Sequence, residues 1–473
     1  MKNRQHDIEN FGLLGHPLGH SLSPYIHQQI MEAAKIRGEY ELLDIPPDRL
    51  ENEIESLTGD LDGFNVTIPY KEKIIPFLSG ISNEARIFGA VNTVYHNTGY
   101  NTDSLGFASM KIPAQDCNIL ILGTGGASRS ISHVLAGQNP SSITFMARNP
   151  QRGLDLVTEI QELYPHSAVQ LVTLEQLELL VNKGMHFQLL INTTPVGMWP
   201  HAGRLPLPHD LYYNMLKSGE VRHVFDAIYN PTATRFVLMA RSFGIWAYGG
   251  LGMLFEQALA AQKIWHPDTP DVWEAPATKL RLENIRISLS HFLLKQNPLK
   301  IVLTGFMGAG KTTTAERLSL LLEGELDVLD LDLVITEKED RTISEIFSES
   351  GEAYFRNLEK EFLSTLLDQP KSMIISAGGG TILQDNIVEL IHEKGGLIVL
   401  LDVEEETVLS RIASTSSRPL LAVSDVENTQ DKVHRLLNER NPAYHMAADL
   451  VIDANQDVEL RAKALLQAFE LER

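Results

Sequence analysis

Cysteine is nearly missing: the chain has one, Cys117, among 473 residues. No disulfide can form within it, and the position of Cys117 at the start of an apolar run points to a small core residue. No apolar run approaches the roughly 20 residues of a membrane span. Met1–Asp7 leads into no apolar signal region. Both absences point to a cytoplasmic chain with no membrane partner. Positive charge is also scarce, with 40 Lys and Arg against 61 Asp and Glu and a formal net charge of -21. Residues 299–473 hold 17 Lys and Arg against 32 Asp and Glu, a balance of -15, which leaves -6 for residues 1–298. Neither part has the basic surface that a nucleic-acid backbone requires. An anionic substrate must therefore be held by a few placed cations. Internal repeats and low-complexity tracts are absent as well.

Apolar residues at 43% and charged residues at 21% describe a folded chain. Its length calls for two or three domains. Short apolar runs alternate with longer helical patterns, which predicts α/β architecture with parallel sheets. Strands are expected at 118–122, 142–146, 186–191 and 223–226, so residues 112–245 read as one doubly wound unit. Residues 7–110 carry strands and polar loops of their own, and 250–265 reads as a helix. A further helix over about 276–295 ends at Gln296-Asn297-Pro298, where the proline discourages continuation. The domain junction is expected there, dividing 1–295 from 299–473.

The rear part opens on a strand from Leu299, followed by Gly305-Phe306-Met307-Gly308-Ala309-Gly310-Lys311-Thr312 and a helix pattern. This fits G-x-x-x-x-G-K-S/T in the context the motif needs. Backbone N–H groups of Gly308, Ala309, Gly310 and Thr313 and the helix N-terminus suit phosphate oxygens. Lys311 would neutralise them and Thr312 would ligate Mg²⁺. Asp330 and Asp332 are two apart in an expected strand, hence on one face. One could serve Mg²⁺ and the other an acceptor hydroxyl. A third strand ends in Gly378-Gly379-Gly380, which permits close approach of a ligand to the backbone.

With Arg356, Glu359, Arg411, Arg418 and Arg440 in the same order, residues 299–473 resemble shikimate kinase. The resemblance implies a P-loop fold, ATP and Mg²⁺. It implies that Asp332 activates the shikimate hydroxyl and that Arg356, Arg440 and the backbone of Gly378–Gly380 hold the shikimate carboxylate and ring. It further implies Asp330 as an aid to Mg²⁺, Arg418 on a closing lid over the phosphates, and Arg411 stacked on adenine.

In the front part, Gly123-Thr124-Gly125-Gly126-Ala127-Ser128 follows a strand and precedes a helix. It is similar to a dinucleotide fingerprint with Ser128 at the third glycine. The next strand ends in Ala147-Arg148-Asn149, with Arg152 beyond; basic residues where NAD enzymes carry an acid favour a 2′-phosphate, hence NADP(H). His16, His20 and His27 do not match a common zinc spacing.

The blocks around Ser21 and Ser23, Asn65-Val66-Thr67-Ile68-Pro69-Tyr70-Lys71, Ala90-Val91-Asn92-Thr93, Asn101-Thr102-Asp103, Asn192–Pro195, Asp226–Pro231 and Gly250–Gln257 resemble shikimate dehydrogenase over about 7–290. This implies a substrate domain of about 7–110 and 246–295 and a Rossmann-type domain of about 112–245. Lys71 and Asp103 would be the catalytic pair, and Ser21, Ser23, Thr67, Asn92, Tyr229 and Gln257 would bind the carboxylate and hydroxyls. The implied reactions run in sequence, from 3-dehydroshikimate to shikimate and on to shikimate 3-phosphate. Two alternatives stay open: an NAD-dependent quinate/shikimate dehydrogenase joined to a kinase, and a chain in which one half is a catalytically dead regulatory module. Oligomeric state also stays open.

Overall fold

The structure, a computed structural model, describes residues 8–19, 21–413 and 429–472. Two compact units emerge: Met1–Thr194 with Gly250–Leu289, and Pro195–Gly249 with Ser290–Arg473. Among the described residues no helix is long and apolar enough to cross a membrane.

The first unit holds a six-stranded mixed sheet in the order β2-β1-β3-β5-β6-β4. Its strands are β1 (Glu9–Gly15), β2 (Gly38–Asp44), β3 (Gly63–Val66), β4 (Gly80–Ile81), β5 (Thr93–Tyr95) and β6 (Thr98–Tyr100). Its apolar face is covered by the helix Leu251–Trp265, whose Trp265 stacks on Phe11 with ring centroids 4.6 Å apart. Gly63 has no side chain because a Cβ there would come within 2.4 Å of the Trp265 indole. A Cβ at Gly106 would come 2.6 Å from the Met253 carbonyl, so this glycine lets the helix Asp103–Ser109 lie close against Leu251–Trp265. That contact brings Asp103 and Gln257 to one side of the sheet.

Four parallel strands complete the first unit, in the order β10-β7-β8-β9: β7 (Asn118–Leu122), β8 (Ser142–Met146), β9 (Ala168–Val172) and β10 (Leu189–Asn192). β7, β8 and β10 are buried almost throughout, as expected of parallel strands covered by helices, while β9 at the edge is partly exposed.

The second unit contains β13 (Lys300–Thr304), β14 (Asp327–Asp330), β15 (Met373–Ser376), β16 (Gly396–Asp402) and β17 (Leu450–Asp453), all parallel in the order β14-β15-β13-β16-β17. It also contains the parallel pair β11 (His223–Asp226) and β12 (Trp246–Tyr248) and the helix Arg235–Ser242. The helix Pro276–Gln296 ends before Pro298.

Residues 195–249 group with the kinase-type sheet in the second compact unit. A buried polar network lies within that unit. Asp449 is fully buried and accepts from Arg235 Nε at 2.5 Å, His392 Nε2 at 2.9 Å and the Ile398 amide at 2.7 Å. Burial works to raise its carboxyl, but His392 and Arg235 outweigh that and hold it at about 2. A buried charge so satisfied fixes which surfaces meet.

Candidate active sites

The first site lies in the first unit and is built on the segment after β3, which carries Lys71, and on the residues either side of β5 and β6, Asn92 and Asp103. Lys71 Nζ donates to Asp103 Oδ2 at 2.5 Å, with both side chains largely buried. Asn92 Nδ2 donates to the other oxygen, Oδ1, at 2.8 Å. Asn92 is itself fixed: its Oδ1 accepts from the Thr102 amide at 2.7 Å and from Thr93 Oγ1 at 3.1 Å. Asp103 opens the helix Asp103–Ser109, where a carboxylate is favoured by the exposed amides of the first turn. Thr102 Oγ1 reaches Gln257 Oε1 at 3.5 Å, which ties the helix Leu251–Trp265 to the same cluster. Lys71, Asn92, Asp103 and Gln257 are therefore brought together.

Ser21 and Ser23 sit at the start of the helix Ser23–Ala34, where the Ser23 amide donates to Ser21 Oγ at 3.2 Å. Thr67 follows β3, its amide bonded to the Leu14 carbonyl at 2.8 Å. His27 is buried, stacked on Tyr40 at 4.3 Å, and accepts at Nδ1 from Gln262 Nε2 at 3.0 Å. Burial pushes its imidazole down to about 3, so it is neutral. His20 lies outside the described residues, and among those residues no group of three or more His, Cys, Asp or Glu could hold a metal ion.

The glycine loop follows β7 and leads into the helix Gly126–Ala136. Gly123 has φ +102°, and a Cβ there would meet Thr193 Oγ1 at 2.7 Å. Around Gly125 and Gly126 an added Cβ would meet nothing within 4 Å, which leaves the helix N-terminus open to an anion. Ser128 is fully buried and donates from Oγ to the Gly123 carbonyl at 2.9 Å. The residue that departs from the fingerprint thus tightens the turn. Ala127 belongs to the same first turn, and Arg148 and Asn149 are exposed past the end of β8. Asn149 Oδ1 accepts from the Gln151 amide at 3.2 Å; of Arg152 only the backbone is described.

In the second unit, Asp226 organises the loop that carries Tyr229. Its Oδ1 accepts from the Ile228 amide at 3.0 Å and its Oδ2 from Thr234 Oγ1 at 2.7 Å. Burial pushes the Tyr229 phenol up.

The second site is a cavity of about 1210 Å³ at the C-terminal ends of β13, β14 and β15. Gly308, Gly310, Lys311, Thr312, Thr313, Asp330, Asp332, Arg356, Gly378–Gly380, Arg411 and Arg440 all line it. Gly308 and Gly310 have φ +81° and +85°, the left-handed region that turns amides inward. Lys311 Nζ rests on the Gly305 carbonyl at 3.0 Å. Thr312 Oγ1 donates to Asp330 Oδ2 at 2.7 Å, so a hydroxyl and a carboxylate are set side by side.

Asp330 and Asp332 do not share a strand face. The strand β14 ends at Asp330, and Asp332 lies in the first turn of the helix Leu331–Glu339. Asp330 caps that helix by accepting from the Asp332 amide at 3.1 Å and the Leu333 amide at 3.4 Å. Capping won over strand continuation, and it still delivers both carboxylates to the cavity. Burial pushes the Asp332 carboxyl up to about 6, and Asp330 and Glu359 push the same way against Lys311 and Arg356.

Arg356 Nη1 donates to Glu359 at 2.6 Å, and its Nη2 to Glu352 at 3.0 Å. A Cβ at Gly380 would collide with this guanidinium at 2.5 Å. Glu359 is fully buried and also accepts from Thr381 and from Gln384 at 2.8 Å. Arg411 Nη1 donates to the Gly308 carbonyl at 2.9 Å and its Nη2 to the Ala454 carbonyl at 2.8 Å, so its donors hold backbone and leave stacking to its planar face. Arg418 lies outside the described residues.

The shikimate dehydrogenase (NADP(+)) of Caldanaerobacter subterraneus subsp. tengcongensis is 37% identical over 264 residues, which is 54% of this chain and 90% of that protein. The enzyme of the same name from Microcystis aeruginosa is 39% identical over 266 residues, again 54% and 90%. The chain belongs to the shikimate dehydrogenase family. The family model for the shikimate dehydrogenase substrate binding domain matches residues 13–94, and that for shikimate kinase matches 307–470. The chain is thus a bifunctional shikimate-pathway enzyme, a dehydrogenase followed by a kinase.

Among solved structures, a chorismate mutase/shikimate 5-dehydrogenase fusion from Clostridium acetobutylicum aligns at TM-score 0.50 and 30% identity, over 60% of this chain and 98% of that one. Shikimate 5-dehydrogenase from Listeria monocytogenes, in complex with shikimate and NAD, aligns at 0.51 and 26%, also over 60% and 98%.

Two contributors to the second site were not singled out from sequence, and Glu359, quoted there only within a block, orients Arg356. Ser376 approaches Thr312 Oγ1 at 3.2 Å, and Arg461 donates from Nη1 to the Ala309 carbonyl at 2.7 Å. Each looks like an ordinary helix or strand residue in the linear chain, and only burial distinguishes it.

Proposed function

We propose that the dehydrogenase part reduces 3-dehydroshikimate to shikimate with NADPH and that the kinase part converts shikimate to shikimate 3-phosphate with ATP and Mg²⁺. The observation that carries the reductase reading is the Lys71–Asp103 pair at 2.5 Å, held by Asn92. The nicotinamide supplies the hydride. Reduction puts negative charge on the ketone oxygen, and the Lys71 ammonium is the group able to meet it with a proton. Asp103 keeps that ammonium aimed. Ser21, Ser23, Thr67, Asn92 and Gln257 supply hydroxyl and amide groups for the substrate's carboxylate and hydroxyls.

For the kinase, Asp332 takes the proton of the attacking hydroxyl, and its upward shift to about 6 makes it a usable base near neutral pH. Arg356 and Arg440 line the cavity as cations suited to a carboxylate. Lys311 faces the transferring phosphoryl group. Thr312 and Asp330 form a hard-oxygen pair suited to Mg²⁺, which would neutralise phosphate charge there. Arg411 would stack on the adenine.

The open helix N-terminus at Gly125 and Gly126 suits a pyrophosphate, and Arg148 suits a 2′-phosphate. Replacing Arg148 with glutamine is expected to raise the KM for NADPH by about 10- to 100-fold, the scale of a lost charge-assisted hydrogen bond. The KM for NADH should stay as it was. Equal loss with both cofactors would remove Arg148 from the 2′-phosphate role and favour the NAD-dependent alternative.

The decisive assay supplies purified chain with 3-dehydroshikimate and NADPH, with NADH in parallel, and follows absorbance at the nicotinamide band. ATP and Mg²⁺ are then added, and shikimate 3-phosphate is sought by mass spectrometry. Reduction followed by phosphorylated product is the expected result. Phosphorylation of added shikimate without any reduction would show that the front part is a dead module or acts on another ketone.

A further inference from the structure

Two elements of the second unit reach the phosphate loop at one end and the segment 195–249 at the other. The first is the helix Val458–Ala468, whose 11 residues span about 16 Å at the usual rise. Near its start, Arg461 is buried and donates from Nη1 to the Ala309 carbonyl at 2.7 Å. A Cβ at Gly310 would come 2.5 Å from the same nitrogen, so loop and guanidinium are in close register. At the other end, the last carbonyls of a helix have no partners within it. Here Arg241 Nη1 donates to the Ala468 carbonyl, and Thr232 Oγ1 donates to the Phe469 carbonyl at 2.6 Å. Arg241 Nη2 also pairs with Glu470 at 2.5 Å.

The second element is β17. Asp449, just before it, is held by Arg235, and the Val451 amide donates to Ser242 Oγ at 3.0 Å. Just after it, the Ala454 carbonyl accepts from Arg411, whose other nitrogen holds the Gly308 carbonyl. The helix Arg235–Ser242 thus anchors the far ends of both elements, whose near ends meet the loop through Arg461, on the helix Val458–Ala468, and Arg411, held by the Ala454 carbonyl after β17.

We propose that Thr232, Arg235 and Arg241, which come from the dehydrogenase part of the sequence, are positioning residues for the kinase reaction. They fix β17 and the helix Val458–Ala468 and, through Arg411 and Arg461, the backbone that receives ATP phosphates. The proposal rests on reading Gly305–Thr312 as the ATP site. A merely adhesive interface would govern melting temperature and affect both kinase substrates alike. A positioning interface acts on the nucleotide.

The test uses the full chain carrying Arg241→Gln, Arg241→Lys or Thr232→Val. Initial rates of shikimate phosphorylation are measured with ATP and shikimate varied in turn, together with dehydrogenase rates and melting temperature. Absence of phosphorylation by the unaltered chain would fail the ATP-site reading itself and is seen before any variant is made. Arg241→Gln is expected to raise the KM for ATP about 3- to 30-fold, the range of residues that act at a distance through packed elements. The KM for shikimate, the kinase kcat and the dehydrogenase rates should stay within about twofold, well below that range. Arg241→Lys should recover part of the loss. Thr232→Val keeps the side-chain shape and removes one hydrogen bond, so it decides by the same criterion if Arg241→Gln does not fold. An unchanged KM for ATP in a folded variant, or equal rises for ATP and shikimate, would overturn the proposal.

Discussion

Replacing Lys71 with methionine is expected to lower the dehydrogenase kcat by about 10²- to 10⁴-fold, the usual worth of a positioned proton donor. The KM for 3-dehydroshikimate should change little, because the hydroxyl and amide groups that hold the substrate remain. Shikimate phosphorylation should be untouched. The fold should survive, since Asp103 keeps the Asn92 amide at 2.8 Å and its own place in the first turn of the helix Asp103–Ser109. Absorbance loss at the nicotinamide band measures the effect directly. A kcat within threefold of the unaltered chain would mean that the proton comes from elsewhere, and the pair would then be structural.

The second large effect is expected at Asp332. Asp332→Asn should reduce the kinase kcat by about 10²- to 10⁴-fold, since an amide cannot accept the hydroxyl proton. The pH dependence gives a sharper criterion. Burial raises the Asp332 carboxyl to about 6, and the ionised form is the one that accepts the proton. Kinase activity of the unaltered chain should therefore fall as pH drops through about 6, and the residual activity of the variant should lack that fall. Stability runs the other way. A carboxyl raised above its unfolded value destabilises the fold once it is ionised. At pH 7 the asparagine variant should therefore melt no lower than the unaltered chain. A variant that loses both activity and melting temperature would point to Asp332 as a structural residue.

Much of both sites is legible in the chain. Phosphate loops are written in consecutive residues because one backbone turn does the work: Gly308 and Gly310 need positive φ, and Lys311 and Thr312 follow directly. The reductase blocks are legible for a related reason. Lys71 and Asp103 each sit in a short loop whose neighbours, Thr67 and Asn92 among them, are themselves polar site residues.

The misread spacing at Asp330 and Asp332 shows where local reading runs out. A period of two predicted one strand face, but an aspartate before a helical pattern is also a cap, and the hydrogen bonds to the Asp332 and Leu333 amides took precedence. A lone glutamate or arginine in a helical pattern reads as solvated surface. Glu359 and Arg461 are instead buried by other elements, beside Arg356 and the phosphate loop.

By itself the sequence determined the α/β class, the two glycine loops and the order of the two enzymes along the chain, and it nominated the residues of the proposed proton-transfer steps. These depend on local backbone conformation and on side chains written close together. Only the tertiary structure decided that residues 195–249 belong to the compact unit of the kinase. It alone set Arg235 against the buried Asp449 and placed Arg241 and Thr232 at the end of the helix Val458–Ala468. Those partners lie more than 200 residues apart in the chain. A buried charge is tolerated only where folding brings its counter-charge and donors to it, and no periodicity or spacing in the linear chain encodes that meeting.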